Sequence, residues 1–336
     1  MPTMKDVAKA AGVSIATVSA TLSGASYVSP ELQVRVNAAI AALGYERNSM
    51  ASGLKRGRSS LIGLIVSDVT NPFFTELVDH VQKHAQHAGY SVLLGISDHS
   101  VTRERELLRL MRSHQAAGTI MCPAGNSGDY APQGLSLGHM RLVAVDNAAA
   151  ELPFDTVTMD NTLAADMATQ HILSFGHRQV ATVAGFATQT VSQRRLEGFL
   201  QAMAAKGLSV DPRFICRGDF RIEEAYRACR DLLARKPWPS AIFVANNLML
   251  IGTMQALAEA GLRVPQDMSV ASIDDFPWAA AFHPGLTVVR QPIARMASAA
   301  LTCLTERLAG DDAPPRHTDF APELVVRQSC APPAAR

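Results

Sequence analysis

The chain has 336 residues, 48% of them hydrophobic, with 31 Lys or Arg against 30 Asp or Glu. That length holds a small module plus two core-forming domains, and the absence of an 18-residue apolar run or a signal-peptide pattern excludes a membrane-spanning or exported protein and predicts a soluble cytoplasmic one. Five widely spaced cysteines without a CxxC exclude a disulfide framework or a zinc finger and read as reduced thiols.

In chain order, the first predicted elements lie in Thr3 to Gly24, two short helices around a tight turn. Val7 and Ala11 share one face of the first, Val18 and Leu22 one face of the second; Gly12 supplies the turn and Ser14 a natural N-cap. A third helix follows, with Ser29 as cap, Pro30 at its first position, Val36, Ile40 and Leu43 facing inward, and Gly44 at its end. So small a core suits a docking module better than a catalytic one. Residues 1–60 carry seven Lys or Arg against three acids, net +4, which leaves net −3 on the remainder. A basic head on a mildly acidic body is what phosphate attraction needs. In a helix-turn-helix the second helix enters the major groove by its N-terminal end, where Ile15, Ala16, Ser19 and Ala20 point outward.

From about Ser60 short apolar runs alternate with longer amphipathic stretches. Strands are predicted at Leu61 to Val66, Val92 to Leu94, Thr119 to Cys122, Leu142 to Val145, Val180 to Ala184, Ile242 to Val244 and Ser269 to Ile273. Helices are predicted at Phe74 to His87, Thr102 to His114, Thr162 to Phe175, Leu196 to Ala205, Glu223 to Arg235, Leu248 to Ala260 and Ala294 to Leu308. The alternation argues for doubly wound parallel sheets, with more strands than one sheet needs and hence two lobes, and ligands beyond the carboxyl ends of the strands.

The runs KDVAKAAGVSIATVSATLSG, LGYERNSMASGLKRGRSSLIGLIVSDVTNPFF, RRLEGF, GLRVPQDMSV and LTVVRQPIARMA, in that order, resemble the lactose repressor (LacI/GalR) family of bacterial transcription regulators. The resemblance implies an all-α helix-turn-helix head at 1–47, a hinge helix or linker at 48–59, and an α/β two-lobed core at 60–330 resembling periplasmic binding proteins. The N-lobe would comprise about 60–160 plus 291–322 and the C-lobe about 161–290 plus 323–330, with crossovers near 160, 290 and 322. It further implies a homodimeric repressor on near-palindromic double-stranded operator DNA, with a sugar-like effector between the lobes acting by default as an inducer, and no cofactor. The tail CAPPAAR has no heptads, which favours a dimer over a higher oligomer.

By the same resemblance, Leu54 is the apolar lever that wedges into the minor groove, flanked by Lys55 and Arg56, in a hinge disordered without DNA. Gly53 departs from the bulkier residue usual there and costs an isolated helix about 1 kcal/mol. The positions matching the specificity residues are Ile15, Ala16 and Ala20, none of which hydrogen-bonds through its side chain, so reading must rest on thymine methyls, Ser19, phosphate contacts from Ser14 and Thr17, and DNA shape. For the effector, the resemblance points to Phe73, Phe74 and Phe220 as ring contacts and to Arg195, Asp274, Asn246 and Asp146 as polar ones. Asn247, Ser272, Ile273 and Ala117 depart from the family pattern, which bears on the effector's identity.

Enzymatic readings are weak. GLSLG at 134–138 matches the nucleophile-elbow pattern around Ser136, but it follows a Gly/Pro-rich loop and leads into a strand, whereas an elbow follows a strand and opens a helix. His80, His84 and His87 share a helix face with Glu76 one turn earlier, a partial metal set that lacks fixed further ligands; no metal is expected. The rival class is a cytoplasmic ligand-binding protein of the same core without operator function, against which the basic head and Leu54 argue.

Overall fold

A computed structural model describes residues 2–24, 27–45, 59–130, 140–148 and 152–334. The chain forms two compact units, residues 1–60 and 61–336.

In the first unit, α1 (Met4–Ala11), α2 (Ile15–Ser23) and α3 (Pro30–Leu43) pack Val7, Ala8, Ala11, Val18, Val36 and Ala39 into one small core. Thr3 and Asp6 close a capping box at the start of α1, and Ser14 Oγ accepts from Thr17 N at 3.0 Å to cap α2. Arg35 Nη2 donates to the Ala11 carbonyl at 2.6 Å, tying α3 to the turn at Gly12, whose φ of 64° a side chain would resist. Two details differ from the sequence reading. Ser29 occupies the N-cap of α3 without a side-chain hydrogen bond into it. Leu43 is exposed and Ala39 buried: Leu43 lies on the face of Val36 but is the last residue of α3, beyond the small core.

The second unit has two lobes, each built on a six-stranded sheet. The first sheet runs β11-β5-β4-β3-β1-β2 and is parallel throughout. It comprises β1 (Leu61–Val66), β2 (Ser91–Ile96), β3 (Gly118–Met121), β4 (Arg141–Val145), β5 (Asp155–Met159) and β11 (His317–Phe320), covered by α4 (Pro72–His87), α5 (Val101–Ser113) and the late helix α10 (Ile293–Ala309). The second runs β12-β10-β9-β8-β6-β7, parallel except that β10 and β12 are antiparallel. Its strands are β6 (Val180–Ala184), β7 (Ile215–Arg217), β8 (Ala241–Val244), β9 (Ser269–Ile273), β10 (Thr287–Arg290) and β12 (Glu323–Val325). Helices α6 (Asn161–Ser174), α7 (Thr190–Ala205), α8 (Ile222–Leu233) and α9 (Asn247–Glu259) cover it. The chain passes between the sheets after Met159, after Arg290 and after Phe320.

Periodicity missed five strands, β5, β7, β10, β11 and β12. β5 reads DTVTM and is buried at every position, so its interior polar groups need partners that the sequence does not display. Asp155 receives Arg307 Nε and Nη2 of α10 at 2.9 and 2.8 Å and Arg316 N at 2.7 Å. These long-range donors let a carboxylate sit inside a sheet. Helix α7 also begins at Thr190, six residues before its predicted start, because its first two turns bury Val191, Ser192 and Arg195 while Gln193 and Arg194 face solvent. Close helix packing depends on two glycines: a Cβ on Gly198 would lie 2.1 Å from Thr162 O, and one on Gly252 2.1 Å from Ile222 O.

Candidate functional site

The N-terminal end of α2 presents the predicted reading residues. Ser14, Ile15 and Ala16 are exposed, Ile15 by 46%, while Thr17, Ser19 and Ala20 are half-buried. Ser14 Oγ also lies 2.9 Å from Thr17 Oγ1, so both hydroxyls are shared with the helix cap. α2 carries no charge; the exposed cations of α1 are Lys5 and Lys9, and Arg35 Nη2 lies on the Gly12 turn that precedes α2. Leu54, Lys55 and Arg56 lie outside the described residues, as does the GLSLG segment with Ser136.

In the second unit a cavity of about 30 Å³ lies between the lobes. All seven predicted contact residues, Phe73, Phe74, Asp146, Arg195, Phe220, Asn246 and Asp274, converge on it. The reason is topological: Asp146 follows β4, Asn246 β8 and Asp274 β9, so parallel strands of both sheets aim their carboxyl ends at one place. Asp146 and Asp274 sit at φ values of 69° and 73°, a left-handed turn that swings each carboxylate off its strand into the cavity. Asn71 opens α4 by accepting from Phe73 N at 2.9 Å, with Pro72 at the first helical position, and this sets Phe73 and Phe74 on the wall with ring centroids 5.0 Å apart at 73°. Phe220, at φ 54°, rests on Gly185, where a Cβ would come within 2.2 Å of the ring.

Arg195 is the central cation and is 3% exposed. Its Nε donates to Asn161 Oδ1 at 2.8 Å and its Nη1 to the Ala245 carbonyl at 2.6 Å, with Asp274 Oδ2 4.0 Å from Nη1. Asp274 Oδ1 accepts from Gln291 Nε2 at 2.6 Å. Burial pushes the Asp146 carboxyl up to about 7, against the pull of Arg195 and with the repulsion of Asp274. Burial likewise raises Asp274, with Arg195 and Gln291 opposing. Asn246 is less available than the sequence suggests, since its Oδ1 accepts from Met249 N at 2.9 Å as the cap of α9.

Eight further lining residues escaped the sequence reading: Ser67, Asp68, Asn71, His99, Asn147, Gln189, Val191 and Gln291. The rule that ligands gather beyond parallel strand ends would have found Ser67, Asn147 and Gln291, had β10 been recognised. Several of them join the lobes. Asn247 Nδ2 donates to Asn71 Oδ1 at 2.9 Å, Val191 N to Asn147 Oδ1 at 3.1 Å, and Gln189 Nε2 to the Ala124 carbonyl at 3.4 Å. The cleft is therefore closed, with room for about one water, so a larger ligand enters only when the lobes part.

The histidines of α4 do not assemble into a metal site. His84 Nδ1 donates to the His80 carbonyl and His87 Nδ1 to that of Lys83, each at 2.7 Å, and the His80 and His84 ring centroids stand 6.4 Å apart. Among the described residues no group of three or more His, Cys, Asp or Glu is placed to hold a metal ion, and no helix is long and apolar enough to cross a membrane.

Residues 3–48 match the bacterial regulatory proteins of the lacI family, and residues 169–330 match the periplasmic binding protein-like domain. Over 330 residues, 98% of each chain, the sequence is 32% identical to the HTH-type transcriptional repressor PurR of Photobacterium profundum. The solved lac repressor dimer bound to operator and the anti-inducer ONPF has the same fold, with a TM-score of 0.87 and 24% identity over 98% of this chain and 99% of that one. The complex of the transcriptional regulator CelR with cellobiose gives a TM-score of 0.74 and 29% identity over 98% of this chain and 100% of that one. The chain belongs to the lacI family of bacterial regulatory proteins and is a ligand-regulated, DNA-binding transcriptional repressor.

Proposed function

We propose that the repressor is switched by a neutral, sugar-like effector held in the interlobe cavity. The observation that carries this is the charge of the wall: among the described residues lining it, Asp68, Asp146 and Asp274 face one guanidinium, Arg195. An anionic ligand such as a sugar acid or sugar phosphate would add negative charge to an already acidic, buried site. Neutral hydroxyls instead find carboxylate acceptors and a guanidinium donor, while Phe73, Phe74 and Phe220 offer apolar faces to the C–H side of a sugar ring. The cellobiose in the similar CelR complex supports the same ligand class.

The protein acts as a homodimer in the cytoplasm, because one head covers only a half-site and two related heads read a near-palindromic operator. Ser14, Ile15, Ala16, Thr17, Ser19 and Ala20 face the major groove, and Leu54, Lys55 and Arg56 serve the hinge. The role we assign is regulatory and not catalytic, as in the relatives that are transcriptional repressors. Switching is a shift between lobe arrangements; reversing a 1:99 population needs a differential affinity of about 10⁴, or about 5.5 kcal/mol.

The test is thermal-shift screening followed by calorimetry with neutral mono- and disaccharides, the corresponding sugar acids and phosphates, and nucleobases. Binding by neutral sugars, with release of operator in a salt-dependent mobility shift, is expected. Binding confined to anionic sugars or to nucleobases would overturn the assignment, and operator affinity retained after deletion of residues 1–58 would overturn the division of roles.

A further inference from the structure

His99 stands beyond β2 in the first lobe, at φ 56° and next to Asp98 at φ 50°. Both φ values belong to a tight turn closed by Ser100 N donating to the Ser97 carbonyl at 3.0 Å, with Asp98 N donating to the Ser67 carbonyl at 2.9 Å. The neighbours of the His99 ring, by contrast, come from the second lobe. The imidazole lies 5.2 Å from Phe186 and 6.4 Å from Phe220, nearly parallel to the latter at 27°, and these two phenyl rings are 6.1 Å apart edge to face.

One hydrogen bond fixes the protonation state of that ring. Gln189 Nε2 lies 3.3 Å from His99 Nδ1 and 3.4 Å from the Ala124 carbonyl oxygen. The carbonyl only accepts, so the amide nitrogen faces it and donates to Nδ1 as well, which leaves the imidazole proton on Nε2. A second proton, on Nδ1, would set donor against donor. Turning the amide over would set its oxygen against the Ala124 carbonyl.

We propose that His99 is a proton-sensitive gate of the effector cavity, whose neutral ring, docked on Phe186 and Phe220 and held by Gln189, keeps the lobes closed and whose protonation expels it.

The surrounding charges fit this role. Burial holds the His99 pKa below its ordinary value; Asp68, from the loop after β1, and the adjacent Asp98 favour the imidazolium, while Arg221 of the second lobe opposes it. Arg221 lies 3.6 Å from Asp98, and its guanidinium is 5.9 Å from the Phe186 ring, so a cation already stands beside the rings on which an imidazolium would have to rest. A base whose pKa is depressed in the closed state stabilises closure above the ordinary histidine range, and that contribution is lost as the pH falls through it. Asp146 and Asp274 act in the opposite sense. Burial raises their carboxyls, so acid favours keeping them buried and gives no drive to open the cleft.

The experiment places nitroxides on full-length protein at Arg109→Cys in the first lobe and Thr188→Cys in the second, with the half-buried Cys216 replaced by Ser. The labelled chain is diluted with unlabelled chain so that pulsed EPR reads the distance within one protomer. With His99 intact, a single short distance at about pH 8 should gain a longer population at about pH 5.5. His99→Phe, which keeps the stacking and loses the titration, should stay short at both, and His99→Ala should show the longer population at both. An unchanged distance across this range with His99 intact, acid opening in His99→Phe, or a closed His99→Ala would overturn the proposal.

Discussion

Replacing Arg195 with Met keeps most of the aliphatic volume and removes the only guanidinium among the described residues lining the cavity. Asn161 Oδ1 and the Ala245 carbonyl then lose donors now at 2.8 and 2.6 Å, and Asp274 loses the cation 4.0 Å away. Hydrogen bonds from a charged donor contribute about 1.5–3 kcal/mol each. Two of them agree with the roughly 3–5 kcal/mol lost when one partner of a buried ion pair is removed. At about 2–4 °C per kcal/mol for a domain of this size, the melting temperature should fall by on the order of 10 °C. The loss should depend on pH in a definite direction. Arg195 favours the ionised forms of Asp146 and Asp274, whose pKa values burial raises, Asp146 to about 7. A raised carboxyl stabilises the fold below its unfolded pKa and loses that contribution as the pH climbs through the folded value. Without Arg195 both carboxyls move further up, so the variant's deficit should be larger at about pH 8 than at about pH 5, where the Asp146 carboxyl is neutral in either protein. Urea denaturation of full-length protein at the two pH values measures this. A deficit below about 1 kcal/mol, or one equal at both, would refute the view of Arg195 as the counter-charge of a buried acidic site.

Arg307→Met should cost roughly 3–5 kcal/mol by stranding Asp155 inside the first sheet. Burial raises Asp155, but hydrogen bonds from Arg307 and Arg316 outweigh it and hold the carboxyl below its ordinary value, so the unmodified protein should lose this contribution only as acid drops the pH below the usual carboxylate range. Chemical denaturation from neutral to acid pH checks both statements. Gly198→Ala should destabilise the second lobe by about 1–3 kcal/mol, because the new methyl meets a backbone carbonyl on α6 that cannot swing aside; hydrogen exchange of α6 and α7 would locate the effect. Replacing thymine by uracil in the half-site should weaken operator binding, since exposed Ile15 and Ala16 offer methyl contacts and no side-chain hydrogen bonds; equal affinities would remove thymine methyls from the account.

The head was legible because its signals are local: the cap at Ser14, the turn at Gly12, and a short apolar stripe each act within a few residues. The apolar strands β1, β6 and β9 were legible for a related reason, since a run buried on both faces announces itself by composition alone. Recognition of family motifs also named seven residues that the fold gathers around one cavity, although each lies far from the others in sequence.

What only the tertiary structure decided are the features whose partners are remote. β5 exists as a strand because Arg307, more than 150 residues later, neutralises Asp155. Arg195 is buried because Asn161 and the Ala245 carbonyl receive its protons. Ser67, Asn147, Gln189 and His99 join the cavity because strand ends from two sheets meet there, and His99 in particular gains an environment only when Phe186 and Phe220 of the other lobe close on it. Propensity and periodicity describe what a segment does with its neighbours along the chain. Burying a charge or a polar strand depends on a partner across space, and that partner is set by the topology.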